Sequence, residues 1–173
     1  DLRSLVEADR SGEESADELW QRRLRRYVAD ALGPDRCYVA DAEGLGLSFM
    51  QYLFYAQDND AIPGLLPGMY PRLSPGEAMV EFLYVTPEAR KYGLAAKGMV
   101  AVTNEAQRKG ASSVISFIKP DDKGAIYVCQ SAGFKFDGIR RSRYRFFRQT
   151  ITFEPRPAGM PETLSHVLRV KLA

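Results

Sequence analysis

The sequence M-V-E-F-L-Y-V-T-P-E-A-R-K-Y-G-L-A-A-K-G occupies residues 79–98 and carries the strongest indication of architecture in the chain. Its apolar run, Val80 to Val85, is typical of a β-strand. A turn follows at Pro87, and the residues from Gly93 onward have the composition of a helix. The stretch therefore predicts a strand, a basic turn that contains glycine, and a helix N-terminus in immediate succession.

A junction of this kind is a candidate anion site. The first backbone N–H groups of a helix have no intrahelical acceptor, and they carry the positive end of the helix dipole. Gly93 lets a ligand approach the backbone because it has no Cβ, and Arg90 and Lys91 add full positive charges. The junction predicts a site for a phosphate or pyrophosphate. Taken alone, it leaves open an ordinary turn with solvated basic side chains.

The same residues resemble part of a known enzyme family. The spacing Arg90-x-x-Gly93-x-Ala95, after a strand that ends in Leu-Tyr-Val, is similar to the acyl-CoA-binding signature of the GNAT superfamily of N-acetyltransferases. The resemblance implies that this turn holds the pyrophosphate of acetyl-CoA (acyl-CoA). It also implies that the preceding strand pairs with the pantetheine arm, and that the N–H group of Val85 donates to the thioester oxygen.

A second motif lies downstream in the family's order. Asp122-Lys-Gly-Ala125, followed by Gly133-Phe134, resembles the family's helix that begins at an Asn and ends in Gly-Phe. The resemblance as a whole covers residues 79–136 well. The residues that it assigns to the cofactor are Leu83, Tyr84, Val85, Arg90, Lys91, Tyr92, Gly93, Leu94, Ala95 and Asp122.

The order of predicted elements indicates an α+β fold with a mixed sheet. Two helices precede three strands, and a helix, a strand, a helix and two strands follow. Strand–helix–strand units need a crossover, so the centre of the sheet has parallel character while the first half is antiparallel. The resemblance implies a GNAT-like fold, with a twisted sheet of about six strands and about four helices. The family's first strand is expected to be absent from this chain.

The domain prediction is a single GNAT-like acyltransferase domain in residues 1–153. Residues 154–173 are expected to form a C-terminal extension, packed on the domain or at a subunit interface. The last two strands are expected in residues 134–140 and 143–153. The Pro- and Gly-rich segment 56–76 is expected either to close over the acceptor or to pair two copies in a homodimer.

Acylation of an amine calls for a general base, because freeing an alkyl ammonium of pKa about 10.4 at pH 7 costs about 4–5 kcal/mol. Glu81 is the candidate, on the strand where many members of the family keep a glutamate. Alternation along the strand places Glu81, Leu83 and Val85 on one face. The alternative is that Glu81 pairs with an arginine and does no chemistry. Glu77 is a second candidate base.

The general acid departs from the family's pattern. Many members place a tyrosine four residues before the Gly of Gly-Phe, where it protonates the leaving thiolate, and this position is Cys129 here. Cys129 is therefore either the acid or a small buried residue. Tyr127 is a poor substitute, since two residues along a helix is a rotation of about 200°. Asp122 replaces the family's Asn; it suits an N-cap but would repel a nearby phosphate.

Composition limits the partners. A net charge of +2 is too small to indicate nucleic acid on its own, and His166 is the single histidine, so no metal site is predicted. No apolar run is long enough to span a membrane. Two cysteines give no disulfide framework and favour the cytoplasm. One segment is rich in arginines that are either solvated or grip the CoA 3′-phosphate or another polyanion: Arg140, Arg141, Arg143, Arg145 and Arg148.

The sequence thus predicts an N-acyltransferase that moves an acetyl or other short acyl group from acyl-CoA to a small-molecule or peptide amine, by direct attack in a ternary complex. Two alternatives stay open: a GNAT-like module that binds acyl-CoA with weak chemistry or a regulatory role, and an interaction domain for polyanions. A cationic acceptor is suggested by four carboxylates near the expected acceptor side: Glu13, Glu14, Asp58 and Asp60.

Overall fold

The computed structural model describes most of the chain. The described residues are 16–61, 69–119, 121–145, 148–155, 157–159 and 167–172. Some predicted features lie outside these ranges: the helix expected in residues 1–10, the centre of the Pro- and Gly-rich segment at 62–68, Glu13, Glu14 and His166.

Three α-helices and seven strands are found among the described residues. The helices are α1 (Ala16–Leu32), α2 (Leu94–Arg108) and α3 (Lys123–Ser131). The strands are β1 (Cys37–Ala42), β2 (Gly46–Tyr55), β3 (Glu77–Val85), β4 (Ser113–Phe117), β5 (Lys135–Arg145), β6 (Arg148–Pro155) and β7 (Val167–Lys171).

The strands form one mixed sheet in the order β1-β2-β3-β4-β7-β5-β6. The pairs β1·β2 and β2·β3 are antiparallel, β3 and β4 are parallel, and the remaining pairs are antiparallel. The predicted α+β class and its mixed sheet are confirmed. The parallel pair is joined through α2, as a crossover connection requires.

The C-terminal segment differs from its prediction. Residues 154–173 were expected to form an extension, but β7 lies inside the sheet between β4 and β5. Val167 and Leu168 are buried there, and Leu168 belongs to the main core. The five residues of β7 are of mixed polarity, so their sequence does not indicate a strand at the centre of a sheet. Its neighbours, β4 and β5, come from other parts of the chain. The boundary after residue 153 therefore cuts through the sheet.

The turn between β5 and β6 was also predicted too early. β5 continues to Arg145, and its exposed residues Arg141, Arg143 and Arg145 alternate without interruption. The two residues that the prediction used as a turn, 141–142, include neither glycine nor proline, so nothing breaks the strand there.

The sheet separates two hydrophobic cores. One core packs α2 and α3 against the sheet and includes Phe49, Val80 and Met99. The other packs α1 against the opposite face through Leu24 and Val28. We call these the α2 face and the α1 face. Helix α2 lies very close to β2, since a Cβ added at Gly98 would overlap the Phe49 ring.

A β-bulge interrupts β3 next to the predicted base. Tyr52 pairs with Glu81 and Met50 pairs with Tyr84, so two residues of β3, 82 and 83, stand opposite one residue of β2. Phe82 has φ +58, a left-handed conformation that is uncommon for a bulky residue. The bulge resets the side-chain alternation of the strand.

The predicted faces of β3 were wrong for this reason. Leu83 and Val85 pack on the α2 face, whereas Phe82 and Tyr84 pack on the α1 face. Glu81 hydrogen-bonds to Tyr70, which packs with the α1-face core, so it does not share a face with Leu83 and Val85.

Strands β3 and β4 separate soon after they begin. Their pairing covers only Glu77–Met79 against Ser113–Ile115. Beyond this point β4 continues to pair with β7 as far as Phe117, while β3 continues to pair with β2 as far as Val85. The separation opens a gap at the C-terminal ends of the two parallel strands, the end of a parallel sheet where ligands commonly bind.

Candidate active site

The predicted anion-binding turn is open to solvent. A 3₁₀ turn, Pro87–Tyr92, leads from β3 to Gly93, and α2 begins at Leu94. Gly93 has φ +68 and ψ +22, and no atom lies within 4 Å of the position that a Cβ would take. Glycine is thus required by the left-handed backbone, and the space in front of it is free.

The N-terminus of α2 follows Gly93 directly and carries donors that the helix itself cannot satisfy. The Lys97 N–H group donates to the Gly93 carbonyl at 3.2 Å and closes the first helical turn. The N–H groups of Leu94, Ala95 and Ala96 precede it and have no acceptor within the helix. They lie at the positive end of the helix dipole, which stabilises a bound anion.

The basic side chains of the turn are exposed. Arg90 and Lys91 both lie at the surface, and the Lys91 ammonium is 5.2 Å from the centre of the half-exposed Tyr92 ring. Arg90 Nε donates to the Val85 carbonyl at 3.4 Å, which ties the turn to the end of β3. The residues assigned to pyrophosphate binding are therefore accessible.

The backbone of Val85 points into the gap between β3 and β4. The Thr86 N–H group donates to the Ser48 carbonyl of β2 at 3.0 Å. Backbone groups of a strand alternate between its two edges, so the N–H group of Val85 is directed to the edge opposite β2. Leu83 is partly buried on the α2 face, and Tyr84 is buried on the α1 face below the Arg25 guanidinium, 4.4 Å from its ring.

Asp122 caps α3, as predicted. Its Oδ1 accepts from the Ala125 N–H group at 2.9 Å. The cap occupies the carboxylate with the backbone of its own helix, although the residue is exposed. A contact between Asp122 and the cofactor stays a prediction.

Glu81 lies at the edge of the gap with its carboxylate held by three donors. Oε1 accepts from the Phe117 N–H group at 2.6 Å and from Ser116 Oγ at 3.3 Å, and Oε2 accepts from Tyr70 Oη at 3.3 Å. Burial raises the pKa of Glu81 to about 8, against the opposing effect of these hydrogen bonds.

A carboxyl group with this pKa is suited to proton transfer near neutral pH. Among the described residues, the donors that reach Glu81 are a main-chain amide and two hydroxyl groups rather than an arginine. The expected pairing with an arginine is thus not found among the described residues, and the role of Glu81 as a base stays a prediction.

The other carboxylates considered in the sequence are already paired. Burial raises the pKa of Glu77, but Arg169 and the Ser74 N–H group outweigh it and hold this pKa below its ordinary value. Asp58 accepts from Arg36 at 3.1 Å and Asp60 from Arg72 at 3.1 Å. Because each carboxylate faces an arginine, the expected attraction for a cationic acceptor loses its basis among the described residues.

Cys129 is buried in the α2-face core. Burial, aided by the charge of Glu81, raises the pKa of its thiol to about 12, against a hydrogen bond with Ser116. A thiol with this pKa is a weak proton donor at neutral pH, which favours the interpretation as a small core residue. Tyr127 is 70% exposed on the outer side of α3 and does not replace it.

Two partners of Glu81 were missed in the sequence. Tyr70 comes from the Pro- and Gly-rich segment, which shows no periodicity. Ser116 sits in the apolar run Ser113–Phe117, where a buried hydroxyl indicates a hydrogen-bond partner. The hydroxyl of Ser116 in an otherwise apolar strand indicated that some hydrogen-bond partner exists, but it did not indicate Glu81.

Among the described residues, no three His, Cys, Asp or Glu side chains are grouped so that they could hold a metal ion. None of the helices described is both long and apolar enough to cross a membrane.

Comparisons with known proteins agree with this arrangement. The sequence model described as "Acetyltransferase (GNAT) family" matches residues 3–134. No curated protein matches the chain.

Solved structures share the fold at low identity. A Bacillus subtilis acetyltransferase in complex with CoA is 16% identical, with 94% of this chain and 96% of that chain covered and a TM-score of 0.57. A ribosomal-protein-alanine N-acetyltransferase from Brucella melitensis is 15% identical, with 99% and 94% covered and a TM-score of 0.57. A Salmonella typhimurium protein solved with its cofactor acetyl-CoA is 17% identical, with 87% and 72% covered and a TM-score of 0.50.

Proposed function

Because the chain belongs to the acetyltransferase (GNAT) family and is therefore an acyltransferase that uses acetyl-CoA, we propose that it acylates an amine by direct attack within a ternary complex. The acyl group is acetyl or another short chain. The observation that carries this proposal is the gap between β3 and β4, which has Glu81 and the Val85 N–H group on its border and leads to the open turn at Gly93.

The residues present fit acetyl-CoA. The N–H groups at the start of α2 and the cations Arg90 and Lys91 would hold its pyrophosphate, and the edge of β3 would pair with its pantetheine arm. The Val85 N–H group would donate to the thioester oxygen, which gains negative charge as the amine attacks. When bound, acetyl-CoA supplies an activated acyl carbon and a thiolate leaving group.

Glu81 serves the acceptor. Its ionised carboxylate would take a proton from the ammonium, and the freed nitrogen lone pair would then form the new C–N bond while the C–S bond breaks. The nitrogen would release its second proton to solvent. With a pKa of about 8, this carboxylate is a stronger base than an ordinary glutamate and lies closer to the acceptor's pKa of about 10.4. The Tyr70 and Ser116 hydroxyls fix the orientation of the carboxylate.

The thiolate requires no special acid. A thiol ordinarily has a pKa of about 8.5, so the leaving thiolate is protonated by solvent at neutral pH. Transfer from Cys129, whose pKa is about 12, would run uphill. Cys129 therefore has no place in the proposed mechanism.

The test is turnover of acetyl-CoA with a panel of small amines and peptides, followed by release of the free thiol, together with calorimetric binding of acetyl-CoA. We expect binding and turnover with at least one class of amine. Tight binding without turnover would instead favour the acyl-CoA-binding module. Salt-sensitive binding to a polyanion that excess CoA leaves unchanged would favour the interaction domain.

A cytoplasmic location belongs to the same proposal, since Cys37 and Cys129 are both free. Pairing into a homodimer stays a prediction.

A further inference from the structure

A continuous row of aromatic rings begins beside Glu81 on the α1 face. Phe82 and Tyr70 contact each other with centroids 6.3 Å apart, and Tyr70 and Phe117 with centroids 5.4 Å apart. Phe117 contacts Phe153 of β6 at 5.3 Å. The four rings, which we call the aromatic row, run along the α1 face from the bulge in β3 to the edge hairpin.

One cation lies at the far end of this row. Arg140 of β5 is the register partner of Phe153, and cross-strand partners project to the same face of a sheet. Its neighbour Arg141 projects to the opposite face, where its Nε donates to Glu154 at 2.7 Å. Arg140 thus lies on the same face of the sheet as the aromatic row, whereas Arg141 lies on the opposite face.

Within the described part of the chain, the Nε atom of Arg140 has no hydrogen-bond acceptor. This atom also has no accessible surface. A guanidinium nitrogen withdrawn from water without an acceptor is unfavourable, and such groups call for an explanation. The positive charge of Arg140 also acts on Tyr70. Burial and Glu81 raise the pKa of Tyr70, and Arg140 opposes this rise. Arg25, above Tyr84, adds a second cation on the same face.

The arrangement has the chemistry of a two-ended site. Glu81 at one end could accept a proton from an ammonium, the partly exposed rings offer an apolar surface, and Arg140 at the other end supplies a cation whose Nε has no acceptor among the described residues. We propose that the acceptor is an amino carboxylate, whose carboxylate pairs with Arg140 and whose apolar body lies along the aromatic row. The inference rests on the proposed function and names the substrate class of the same site.

The decisive experiment compares matched acceptors. Amino carboxylates with apolar or aromatic bodies, of increasing separation between the amino and carboxylate groups, are each assayed beside the corresponding amide. A charge-assisted hydrogen bond contributes about 1.5–3 kcal/mol. We therefore expect the wild-type kcat/KM to favour the best carboxylate over its amide by about 10-fold to 100-fold, mainly through KM.

The variants are Arg140→Gln and, as the matched control, Arg141→Gln on the opposite face of the same strand. We expect Arg140→Gln to abolish the preference for the carboxylate while the amide keeps its kcat. Arg141→Gln should keep the preference. Thermal unfolding distinguishes a structural role, because removal of a side chain whose buried Nε makes no hydrogen bond to the described residues should leave Tm unchanged or raised.

Several outcomes would overturn the inference. These are a preference for the amide, a carboxylate preference that survives Arg140→Gln, or a Tm loss in Arg140→Gln with unchanged selectivity. Acylation of amines without regard to a carboxylate would remove this inference alone and leave the proposed function standing. If no amine turns over, calorimetric binding of the same pairs to wild type and Arg140→Gln still decides whether Arg140 selects carboxylates.

Discussion

The Glu81 carboxylate accepts the Phe117 N–H group at 2.6 Å, at a level of the sheet where β3 and β4 have ceased to pair. A side chain thus satisfies a main-chain donor that faces the gap, in place of the carbonyl that a continuous ladder would provide. The same contact fixes the carboxylate at the border of the gap. The hydrogen bond that replaces strand pairing at this level therefore also positions the proposed base.

The pH dependence of activity follows from the pKa of this carboxyl group. A base must be ionised to act, so we expect kcat/KM of the wild type to rise with pH and to level off above about pH 8. Glu81→Gln should lower kcat by about 10²–10⁴-fold and remove this rise. Steady-state rates from pH 6 to 10 provide the check, with Glu77→Gln, at the other end of β3, as a control that keeps the wild-type profile. A wild-type profile in Glu81→Gln would exclude Glu81 as the base.

Stability should change with pH in the opposite direction. Burial raises the pKa of Glu81 from 4.5 to about 8, so the folded state holds a proton that the unfolded state has released between these values. Its contribution is complete below about pH 4.5 and is lost as pH rises through about 8. We expect the free energy of unfolding of the wild type, measured in urea, to fall relative to Glu81→Gln by a few kcal/mol between pH 5 and pH 9. A constant difference between the two proteins would contradict the raised pKa.

The open turn is tested by two glycines with similar backbones. Gly93 and Gly110, at opposite ends of α2, both have positive φ, and a Cβ at either meets no atom within 4 Å. We expect Gly93→Ala and Gly110→Ala to lose comparable stability, about 1–2 kcal/mol. Calorimetry should show weaker binding of acetyl-CoA, at least fivefold, for Gly93→Ala alone, because its Cβ stands where the ligand approaches the backbone. Equal effects of both variants on affinity would contradict a site at Gly93.

The position of α2 depends on Gly98. Alanine at Gly98 would overlap the Phe49 ring, and overpacking of this kind costs about 1–3 kcal/mol. Gly124 of α3 is the control, because a Cβ there lies 3.6 Å from its nearest neighbour, Asp122 Oδ1. We expect thermal unfolding to show a lower Tm for Gly98→Ala and an equal or higher Tm for Gly124→Ala, since alanine favours helix. A stable Gly98→Ala would mean that the helix–sheet contact is looser than described.

Local signals in the sequence sufficed for the parts of the site that neighbouring residues build. The strand before Pro87, the glycine at the start of α2 and the Asp122 cap each depend on a few consecutive residues. Their chemistry therefore reads directly from residue type and spacing.

Features that depend on distant contacts were not predictable in this way. Phe82 lies in a run of residues that favour strands, so nothing local indicated its left-handed backbone or the bulge that reorients Glu81. Tyr70 reaches Glu81 from an aperiodic segment, and β7 enters the sheet between strands that are far away in sequence. Each of these requires knowledge of which strands become neighbours.

The most direct measurement is a crystal structure of the wild-type protein with acetyl-CoA at saturating concentration. We expect the pyrophosphate at the N–H groups of Leu94–Ala96 and the pantetheine arm in the gap between β3 and β4, with the thioester close to the Val85 N–H group. Density at another surface, or none in the gap, would contradict the proposed site.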